Sequence, residues 1–329
     1  MKKTTIAILG AGSWGSAVAV HLANGGHHVM LWGHDPKHVA SMQKERLNLN
    51  YLPDAHFPPS LSPSSSLDDC LTCASHIIIA VPSHAFASLL SKIKKPPLGL
   101  AWLTKGIDPK SHALLSQLVE KKWGKSFPIA AISGPSFARE VAHFLPTALV
   151  IAGNDPTYLQ TMHAIFHHDN VRVYLTDDIV GVQVCGAIKN VLAIACGISD
   201  GLNYGANAKA ALITRGLAEM SRLGLCLGAR HETFMGLAGV GDLVLTCTDD
   251  QSRNRRFGLQ MGKGVGLLEA EKHIGQVVEG MHNAAQVCAI AAQHHIEMPI
   301  CVEVNALLQG KVTAQQAVIN LMSRPPREE

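Results

Sequence analysis

The chain has 329 residues, of which 47% are hydrophobic and 16% are charged. This composition predicts a folded chain with a sizeable core and argues against disorder. The length is typical of two domains of ~100–200 residues each. The net charge of +3 is too small to indicate a nucleic-acid partner. No stretch reaches ~18 apolar residues without a charge, so we expect no membrane span.

The start of the chain resembles a secretory leader, because Met1-Lys2-Lys3 precedes an apolar run. That run has only about six residues before the first glycine, whereas a leader needs ~7–15. The eight cysteines are scattered, and several lie in apolar stretches typical of reduced, buried thiols. We therefore expect a cytoplasmic protein.

Cys70 and Cys73 form a Cys-x-x-Cys pair. A redox or zinc role is one interpretation, but there is no second pair at metal-ligand spacing and no thioredoxin-like order around it. Two packing residues on a helix are the favoured alternative, and we expect no metal.

The most informative motif follows the apolar run Thr4–Leu9, where Gly10-Ala-Gly-Ser-Trp-Gly15 leads into a helix over Ser16–Asn24. Gly10 permits a tight strand-to-helix turn, Gly12 lets the backbone approach a pyrophosphate, and Gly15 lets the helix pack on the strand. The helix N-terminus then faces the anion. Strand–turn–helix context favours dinucleotide binding over a glycine-rich turn of another α/β fold.

Short apolar strands and helices alternate through the first half. The predicted strands are His28–Trp32, His76–Val81, Leu98–Leu103, Pro128–Ile132, Thr147–Ala152 and Val171–Tyr174. The predicted helices are Pro36–Arg46, Ser111–Lys122 and Pro156–Phe166, and Pro53–Ser66 is predicted to be a loop. Near-continuous apolar strands separated by helices predict a doubly wound parallel sheet covered on both faces.

The pattern changes after about Thr176, because helical spacing dominates and convincing strands disappear. We predict an α/β plus all-α protein: a Rossmann-like dinucleotide-binding domain at residues 1–176 and an all-helical substrate and catalytic domain at residues 177–329.

Lys189 is the most informative residue of the second half. Between Val184 and Ile198, only Lys189 and Asn190 are strongly polar, so a helix here must be buried. A buried lysine needs a partner or a lowered pKa, and it can then exchange a proton near neutral pH. The alternative is a lysine whose head reaches solvent.

A second apolar segment, Gly236–Cys247, holds only two strongly polar side chains, Asp242 and Thr246. Four residues apart, they share one face of a helix. A buried carboxylate needs a cation or several hydrogen bonds, so we expect Asp242 to pair with Lys189. The alternative makes Asp242 a helix N-cap.

A basic cluster follows at Ser252-Arg253-Asn254-Arg255-Arg256. Arginine can bind phosphate with two parallel hydrogen bonds, and Ser252 and Asn254 add donors. We favour a phosphate site over a solvated basic face. Ligands of doubly wound sheets bind at the carboxyl ends of strands. Lys105, Ser83 and Gly134 lie there, although a surface-loop lysine is the alternative for Lys105.

Taken together, these residues resemble the NAD(P)-dependent glycerol-3-phosphate dehydrogenase family of the bacterial biosynthetic type. The matching stretches, in the family's order, are Gly10–Gly15, Leu31–Asp35, Thr104–Gly106, Ser133–Glu140, Lys189–Asn190, Gly236–Asp242, Ser252–Asn254 and Val277–Gly280. The resemblance covers nearly the whole chain and implies a Rossmann-like domain followed by a helical substrate domain.

The resemblance implies roles for individual residues. It makes Lys189 the catalytic proton donor and acceptor. The implied substrate-binding residues are Lys105, Gly134, Ser136, Lys189, Asp242, Ser252, Arg253 and Asn254. The implied cofactor-binding residues are Gly10, Gly12, Ser13, Trp14, Gly15, His34, Lys105, Ala138, Arg253, Val277 and Glu279.

The implied reaction is hydride transfer from NAD(P)H to dihydroxyacetone phosphate, a phosphorylated triose, which supplies glycerol phosphate for phospholipid synthesis. The residue after the second strand bears on the cofactor, because an acidic side chain favours NAD and a cation favours NADP. His34 favours NADP and Asp35 favours NAD, and of the two cofactors we favour NADPH.

Two other functions stay open. One is a related dehydrogenase of an unphosphorylated β-hydroxy acid, in which the Ser252–Asn254 segment binds a carboxylate. The other is a nicotinamide-sensing protein without turnover, which would not need Lys189 and Asp242 buried. A homodimer is the expected assembly.

Overall fold

The computed structural model describes residues 4–325. Met1–Lys3, with the leader-like start of the chain, and residues 326–329 lie outside the described part. The chain divides into two compact units. One contains the residues up to Lys105 together with Leu115–Val182, and the other contains Gly106–Leu114 and the residues from Gln183 onward. The segment Gly106–Leu114 thus belongs to the second unit, which the sequence does not predict.

The first unit is built around an eight-stranded sheet with the order β10-β9-β8-β7-β6-β1-β2-β5. A separate antiparallel pair is formed by β3 and β4. The strands are β1 (Thr5–Leu9), β2 (His28–Trp32), β3 (Leu47–Asn48), β4 (Leu52–His56), β5 (Leu61–Ser64), β6 (His76–Ile79), β7 (Leu100–Trp102), β8 (Ile129–Ser133), β9 (Thr147–Gly153) and β10 (Val171–Thr176).

Neighbouring strands are parallel from β5 through β8, and β9 with β10 are parallel to each other. Strand β9 pairs with β8 antiparallel, so the wholly parallel sheet predicted from the sequence is wrong at this edge. Buried strands of either direction read as the same apolar run, and strand direction is therefore invisible in the pattern.

Helices cover both faces of the sheet, as predicted. The helices of this unit are α1 (Ser13–Asn24), α2 (Pro36–Glu45), α3 (Leu67–Cys73), α4 (Ser83–Lys92), α5 (Leu115–Trp123), α6 (Ala138–Ala142) and α7 (Pro156–Phe166). Because strand side chains alternate, Ile6 and Ile8 join one buried cluster with α1, α2 and α7, whereas Ala7 and Leu9 join another with α3, α4 and α5.

Two predicted segments differ from the structure. The predicted loop Pro53–Ser66 contains most of β4 and all of β5, because edge strands tolerate the proline and serine that suggested a loop. The helix predicted from Ser111 begins only at Leu115. The Asp108 carboxylate accepts hydrogen bonds from the Ser111 N–H and hydroxyl, and His112 has a φ of 55°, so the chain turns here before the helix starts.

Apart from the Gly106–Leu114 segment, the second unit is helical across its described residues, as predicted. Its elements, with α8 beginning just before the unit boundary, are α8 (Ile179–Gly201), α9 (Gly205–Cys226), α10 (His231–Phe234), a π-helical turn (Leu237–Gly241), α11 (Asp242–Thr248), α12 (Arg253–Gly262), α13 (Leu267–Ile274), α14 (Glu279–Gln293), α15 (Pro299–Leu308) and α16 (Ala314–Met322).

Helix α8 is long and apolar enough to cross a membrane by length and composition alone. It is the one such helix in residues 4–325, and 83% of its most apolar 18-residue window is buried in the protein. This burial is typical of a core helix.

Glycines bring α8 and α12 into backbone contact. A Cβ at Gly197 would lie 2.0 Å from the Arg255 carbonyl oxygen, and a Cβ at Gly258 would lie 2.1 Å from the Ile194 carbonyl oxygen. The two helices therefore pack closer than side chains would allow. This contact holds α12 against the C-terminal half of α8.

Candidate active site

The glycine-rich turn after β1 has the geometry that its sequence predicts. Gly10 has a φ of +134°, and a Cβ there would lie 2.6 Å from Ala80 backbone atoms. A Cβ at Gly15 would lie 2.0 Å from the Gly10 carbonyl oxygen. Both positions require glycine for the fold itself.

Gly12 differs, because a Cβ there would meet no heavy atom within 4 Å. It is the N-cap of α1, with no side-chain hydrogen bond closing the helix end. Open space in front of a helix N-terminus suits an anionic group, so these residues fit the pyrophosphate of a dinucleotide. Ser13 opens α1, and Trp14 packs partly buried against the core.

The end of β2 carries His34 and Asp35, both exposed. Asp35 is the N-cap of α2, and its carboxylate accepts a hydrogen bond of 3.0 Å from the Lys37 N–H. The acidic side chain is therefore engaged in capping, while His34 lies two residues after the strand.

A second group lies at the carboxyl ends of β7 and β8. The half-buried Lys105 donates from Nζ to the Gly134 carbonyl oxygen at 3.2 Å, and the Ser136 hydroxyl donates to the same oxygen at 3.0 Å. Gly134 has a φ of +117°, which favours glycine. Ala138 begins α6 just beyond. Lys105 is thus an anchored side chain, not a loose surface lysine, whereas Ser83 is buried at the start of α4.

In the second unit, Lys189 of α8 meets Asp242 and Thr246 of α11. The Lys189 Nζ donates to the Asp242 Oδ1 at 2.6 Å and to the Thr246 Oγ1 at 3.0 Å. The side chains of Lys189 and Asp242 are 8% and 1% exposed, which confirms the predicted buried pair and excludes a lysine head in solvent. Thr246 donates its own hydroxyl to the Asp242 carbonyl oxygen at 2.6 Å, so its oxygen is oriented to accept from Lys189.

The π-helical turn sets the position of Asp242. A Cβ at Gly239 would lie 2.1 Å from the Phe234 carbonyl oxygen, so the turn depends on glycine. Gly241 is the N-cap of α11 and Asp242 is its first residue, with the carboxylate directed to Lys189. The alternative that Asp242 is an N-cap is therefore wrong. Short π-helical turns occur frequently at functional sites.

Two buried cysteines lie near the Lys189–Asp242 pair. Cys196 and Cys247 are fully buried, and the contact between them, together with burial, raises the pKa of the Cys247 thiol well above its usual value. Burial also raises the pKa of Cys70 to about 11, while Cys73 is exposed. Cys247 and Cys70 are thus poor thiolate formers. Residues 4–325 hold no cluster of three or more metal-ligating side chains.

The Ser252–Asn254 segment forms the start of α12. The Ser252 hydroxyl caps the helix by accepting the Arg255 N–H at 3.2 Å. Arg253 donates from Nη1 to the Gln276 Oε1 at 3.3 Å. Burial lowers the pKa of Arg253, and the nearby Glu279 carboxylate opposes that shift.

The next arginine has a structural role. Arg255 binds the Asp200 carboxylate at 2.6 Å and also binds Asp250. Burial acts to lower its pKa, but the two carboxylates outweigh burial and raise it. Arg255 is therefore committed to protein partners, and Arg253 is the arginine of the cluster suited to an anionic ligand.

The cofactor residues expected in this unit lie at the start of α14, where Val277 and Glu279 are half-buried. Gln276, which precedes them, contacts Arg253 and was missed by the sequence analysis. Its place directly before the Val277–Gly280 motif is the one signal that could have indicated it.

Comparison with known proteins covers almost the whole chain. A family model described as NAD-dependent glycerol-3-phosphate dehydrogenase N-terminus matches residues 5–159, and its C-terminus counterpart matches residues 178–319. The chain is 68% identical to a glycerol-3-phosphate dehydrogenase [NAD(P)+] of Legionella pneumophila (strain Lens), with 100% of both chains covered. It is 52% identical to the protein of that name from Thioalkalivibrio sulfidiphilus, again over 100% of both. A crystal structure of glycerol-3-phosphate dehydrogenase from Coxiella burnetii is 48% identical and superposes with a TM-score of 0.95, covering 98% of this chain and 99% of that one.

Proposed function

The chain belongs to the NAD-dependent glycerol-3-phosphate dehydrogenase family, and from that premise we propose how its residues divide the reaction. The protein is an NAD(P)-dependent oxidoreductase that reduces dihydroxyacetone phosphate to sn-glycerol 3-phosphate, the glycerol phosphate of phospholipid synthesis. The observation that carries the proposal is the buried Lys189–Asp242 pair with its 2.6 Å contact.

Residues 1–176 form the dinucleotide-binding domain and residues 177–329 form the substrate and catalytic domain. The nicotinamide cofactor, when bound, supplies and accepts the hydride. The residues that hold it are Gly10, Gly12, Ser13, Trp14, Gly15, His34, Lys105, Ala138, Arg253, Val277 and Glu279. Gly12 and the α1 N-terminus support this assignment, because they offer open space and backbone N–H groups to an anion.

Lys189 is the proton donor in reduction and the proton acceptor in oxidation. Reduction of the carbonyl places negative charge on its oxygen, and a protonated Lys189 stabilises that charge and donates the proton. Asp242 and Thr246 hold the amine of Lys189 from α11, so its position is set before the substrate binds. Asp242 also compensates the buried cation.

The substrate phosphate is held by Ser252, Arg253 and Asn254 at the start of α12. Arg253 can form two parallel hydrogen bonds with phosphate, and the positive end of the helix dipole adds to its charge. Lys105, Gly134 and Ser136 contact the substrate in the same reaction. Their common anchor, the Gly134 carbonyl oxygen, supports a fixed arrangement of these three residues.

NADPH is the preferred cofactor, with NADH tolerated. The Asp35 carboxylate caps α2 and is thereby withdrawn from a ribose hydroxyl, whereas His34 can approach a 2′-phosphate. The protein acts in the cytoplasm as a homodimer, the commonest assembly of soluble oligomers.

Initial rates with dihydroxyacetone phosphate, measured at 340 nm with NADPH and NADH in parallel, test substrate and cofactor together. We expect turnover with both cofactors and a higher kcat/KM with NADPH. Faster turnover of an unphosphorylated β-hydroxy acid, measured in the oxidative direction with NADP⁺ or NAD⁺, would favour the related dehydrogenase. Cofactor binding without turnover of any substrate would favour a sensing protein.

A further inference from the structure

Asn190, the residue after Lys189, joins three helices through side-chain amides. Its Oδ1 accepts a hydrogen bond of 2.9 Å from the Asn254 Nδ2, and the Asn254 Oδ1 accepts one of 2.9 Å from the Gly280 backbone N–H. The Asn190 Nδ2 donates to the Gly186 carbonyl oxygen at 3.2 Å. Asn190 and Asn254 are 6% and 8% exposed, so water competes little for these bonds.

The direction of this chain of bonds is fixed by one backbone group. The Gly280 N–H can only donate, so the Asn254 amide must present its oxygen to Gly280 and its nitrogen to Asn190. Asn190 must then present its oxygen to Asn254 and its nitrogen to Gly186. No flipped amide satisfies all three contacts.

The close packing around Gly280 independently fixes the position of α14 relative to Asn190. A Cβ at Gly280 would lie 2.5 Å from the Asn190 carbonyl oxygen and 2.7 Å from the Ile194 Cδ1. The start of α14 therefore rests on the α8 backbone at Asn190, which leaves little freedom for the chain of amides.

We propose that Asn190 is a positioning residue for phosphate: by holding one N–H of the Asn254 amide, it aims the other N–H at the phosphate of the substrate. This inference rests on the proposed function, in which Asn254 binds that phosphate. Since Lys189 and Asn190 are adjacent on α8, one helix sets both the proton donor and the orientation of a phosphate ligand.

Without the acceptor on Asn190, the Asn254 amide is held only at Gly280 and can rotate about that bond. The phosphate then loses a fixed donor, and a hydrogen bond to a charged group contributes about ten- to a hundredfold in affinity. A substrate without phosphate has nothing to lose at this position.

The test is kcat/KM for dihydroxyacetone phosphate and for dihydroxyacetone, which lacks phosphate, in Asn190→Leu. We expect kcat/KM for dihydroxyacetone phosphate to fall about ten- to a hundredfold, mainly through a higher KM. The kcat/KM for dihydroxyacetone should stay within about twofold of the wild-type value. The matched control is Asn283→Leu. Asn283 is a fully buried amide of α14 that also bonds α8, at the Ala187 carbonyl oxygen, but does not contact Asn254. It should not change the ratio of the two kcat/KM values.

A loss of equal size on both substrates, or no loss on either, would overturn the proposal, because a merely structural role does not distinguish them. In an Asn254→Ala background, Asn190→Leu should cause no further loss, and additive losses would equally overturn it. If Asn190→Leu does not fold by circular dichroism, Asn190→Ser, whose hydroxyl is too short to reach Asn254, takes its place.

Failure of the proposed function gives a different result. A wild-type protein without turnover of dihydroxyacetone phosphate would contradict that function, and the role of Asn190 is then decided by titration calorimetry with inorganic phosphate. Asn190→Leu should weaken phosphate binding about tenfold and Asn283→Leu should not. Equal affinities in wild type and Asn190→Leu would overturn the inference.

Discussion

The candidate ligand sites of the two units are built by different means. In the first unit, the turn after β1 is built from backbone, and its glycines provide either close packing, as at Gly10 and Gly15, or open space, as at Gly12. In the second unit, the site is built from side chains, and Lys189 meets partners 53 and 57 residues away in the sequence.

This difference explains how each unit responds to change. At Gly10 and Gly15 the turn has no room for a side chain, so even an added methyl group there would disrupt it. The Lys189–Asp242 pair depends on mutual compensation of charge, so the loss of one partner leaves the other buried and uncompensated.

The largest expected effect is on stability, at Asp242. In Asp242→Asn, the buried Lys189 loses its counter-charge, and we expect the free energy of unfolding to fall by about 3–5 kcal/mol in urea titrations. Asp250→Asn is the matched control, because Asp250 also pairs with a buried cation but its side chain is 82% exposed. It should cost at most about 1 kcal/mol. Equal losses in both variants would remove the distinction between buried and exposed pairs.

The first unit should be the acid-sensitive one, through His21. The pKa of His21 is lowered to about 4, mainly by burial and to a smaller extent by nearby His168 and His27, against a hydrogen bond with the Phe166 carbonyl oxygen. Below pH 6.5, His21 binds a proton in the unfolded chain but not in the folded chain. Stability is therefore full above pH 6.5 and falls by about 3 kcal/mol as the pH drops towards 4.

Urea titrations between pH 7.5 and 4.5 measure this effect as the difference between wild type and His21→Gln, whose amide can keep the bond to Phe166. We expect the wild type to lose more stability than the variant over this range. If the two proteins lose stability in parallel, the folded and unfolded chains bind the proton of His21 equally, which would contradict the effect of its burial.

Gly12 should separate binding from folding. It has a φ of −80°, and a Cβ would meet open space, so Gly12→Ala should fold normally while the methyl group obstructs the pyrophosphate. We expect NADPH affinity, measured by fluorescence, to fall about tenfold or more, equivalent to about 1.4 kcal/mol. Gly266→Ala is the control, because Gly266 is also an open N-cap glycine but lies before α13. Unchanged affinity in Gly12→Ala would exclude a close approach of the cofactor to this residue.

The smallest effect is expected at Thr246. Thr246→Val removes the hydroxyl that accepts from Lys189, and we expect kcat to fall up to about tenfold, as for one hydrogen bond. Thr248→Val is the control, because the exposed Thr248 makes the same bond to the carbonyl four residues back on α11 but does not contact Lys189. If both variants retain the wild-type kcat, Thr246 has no part in orienting the amine.

Much of both sites could be predicted from local sequence. The glycine turn follows from the spacing of its glycines, because Gly10 and Gly15 lie where a side chain would clash with the backbone. The Lys189–Asp242 pair follows from burial, since two charges in separate apolar helices compensate each other most simply by meeting. The predicted bounds of helix Pro156–Phe166 agree with the structure, in which Asp155 caps the helix and Pro156 begins it.

The remaining features depend on contacts that no local pattern encodes. The antiparallel direction of β9, the turn at His112 and the link from Asn190 to Gly280 each require knowledge of which elements meet. Asn190 in particular is visible in the sequence as a polar residue in an apolar helix, but its partner is 64 residues away.

The most direct test of the account is the steady-state rate of Lys189→Met with dihydroxyacetone phosphate and NADPH, beside NADPH binding by the same protein. Methionine keeps most of the length of the side chain and removes the exchangeable proton. We predict a fall in kcat/KM of about 10²–10⁴-fold, as for loss of a general acid, with cofactor binding unchanged. Turnover at the wild-type rate would contradict the assignment of Lys189 as the proton donor.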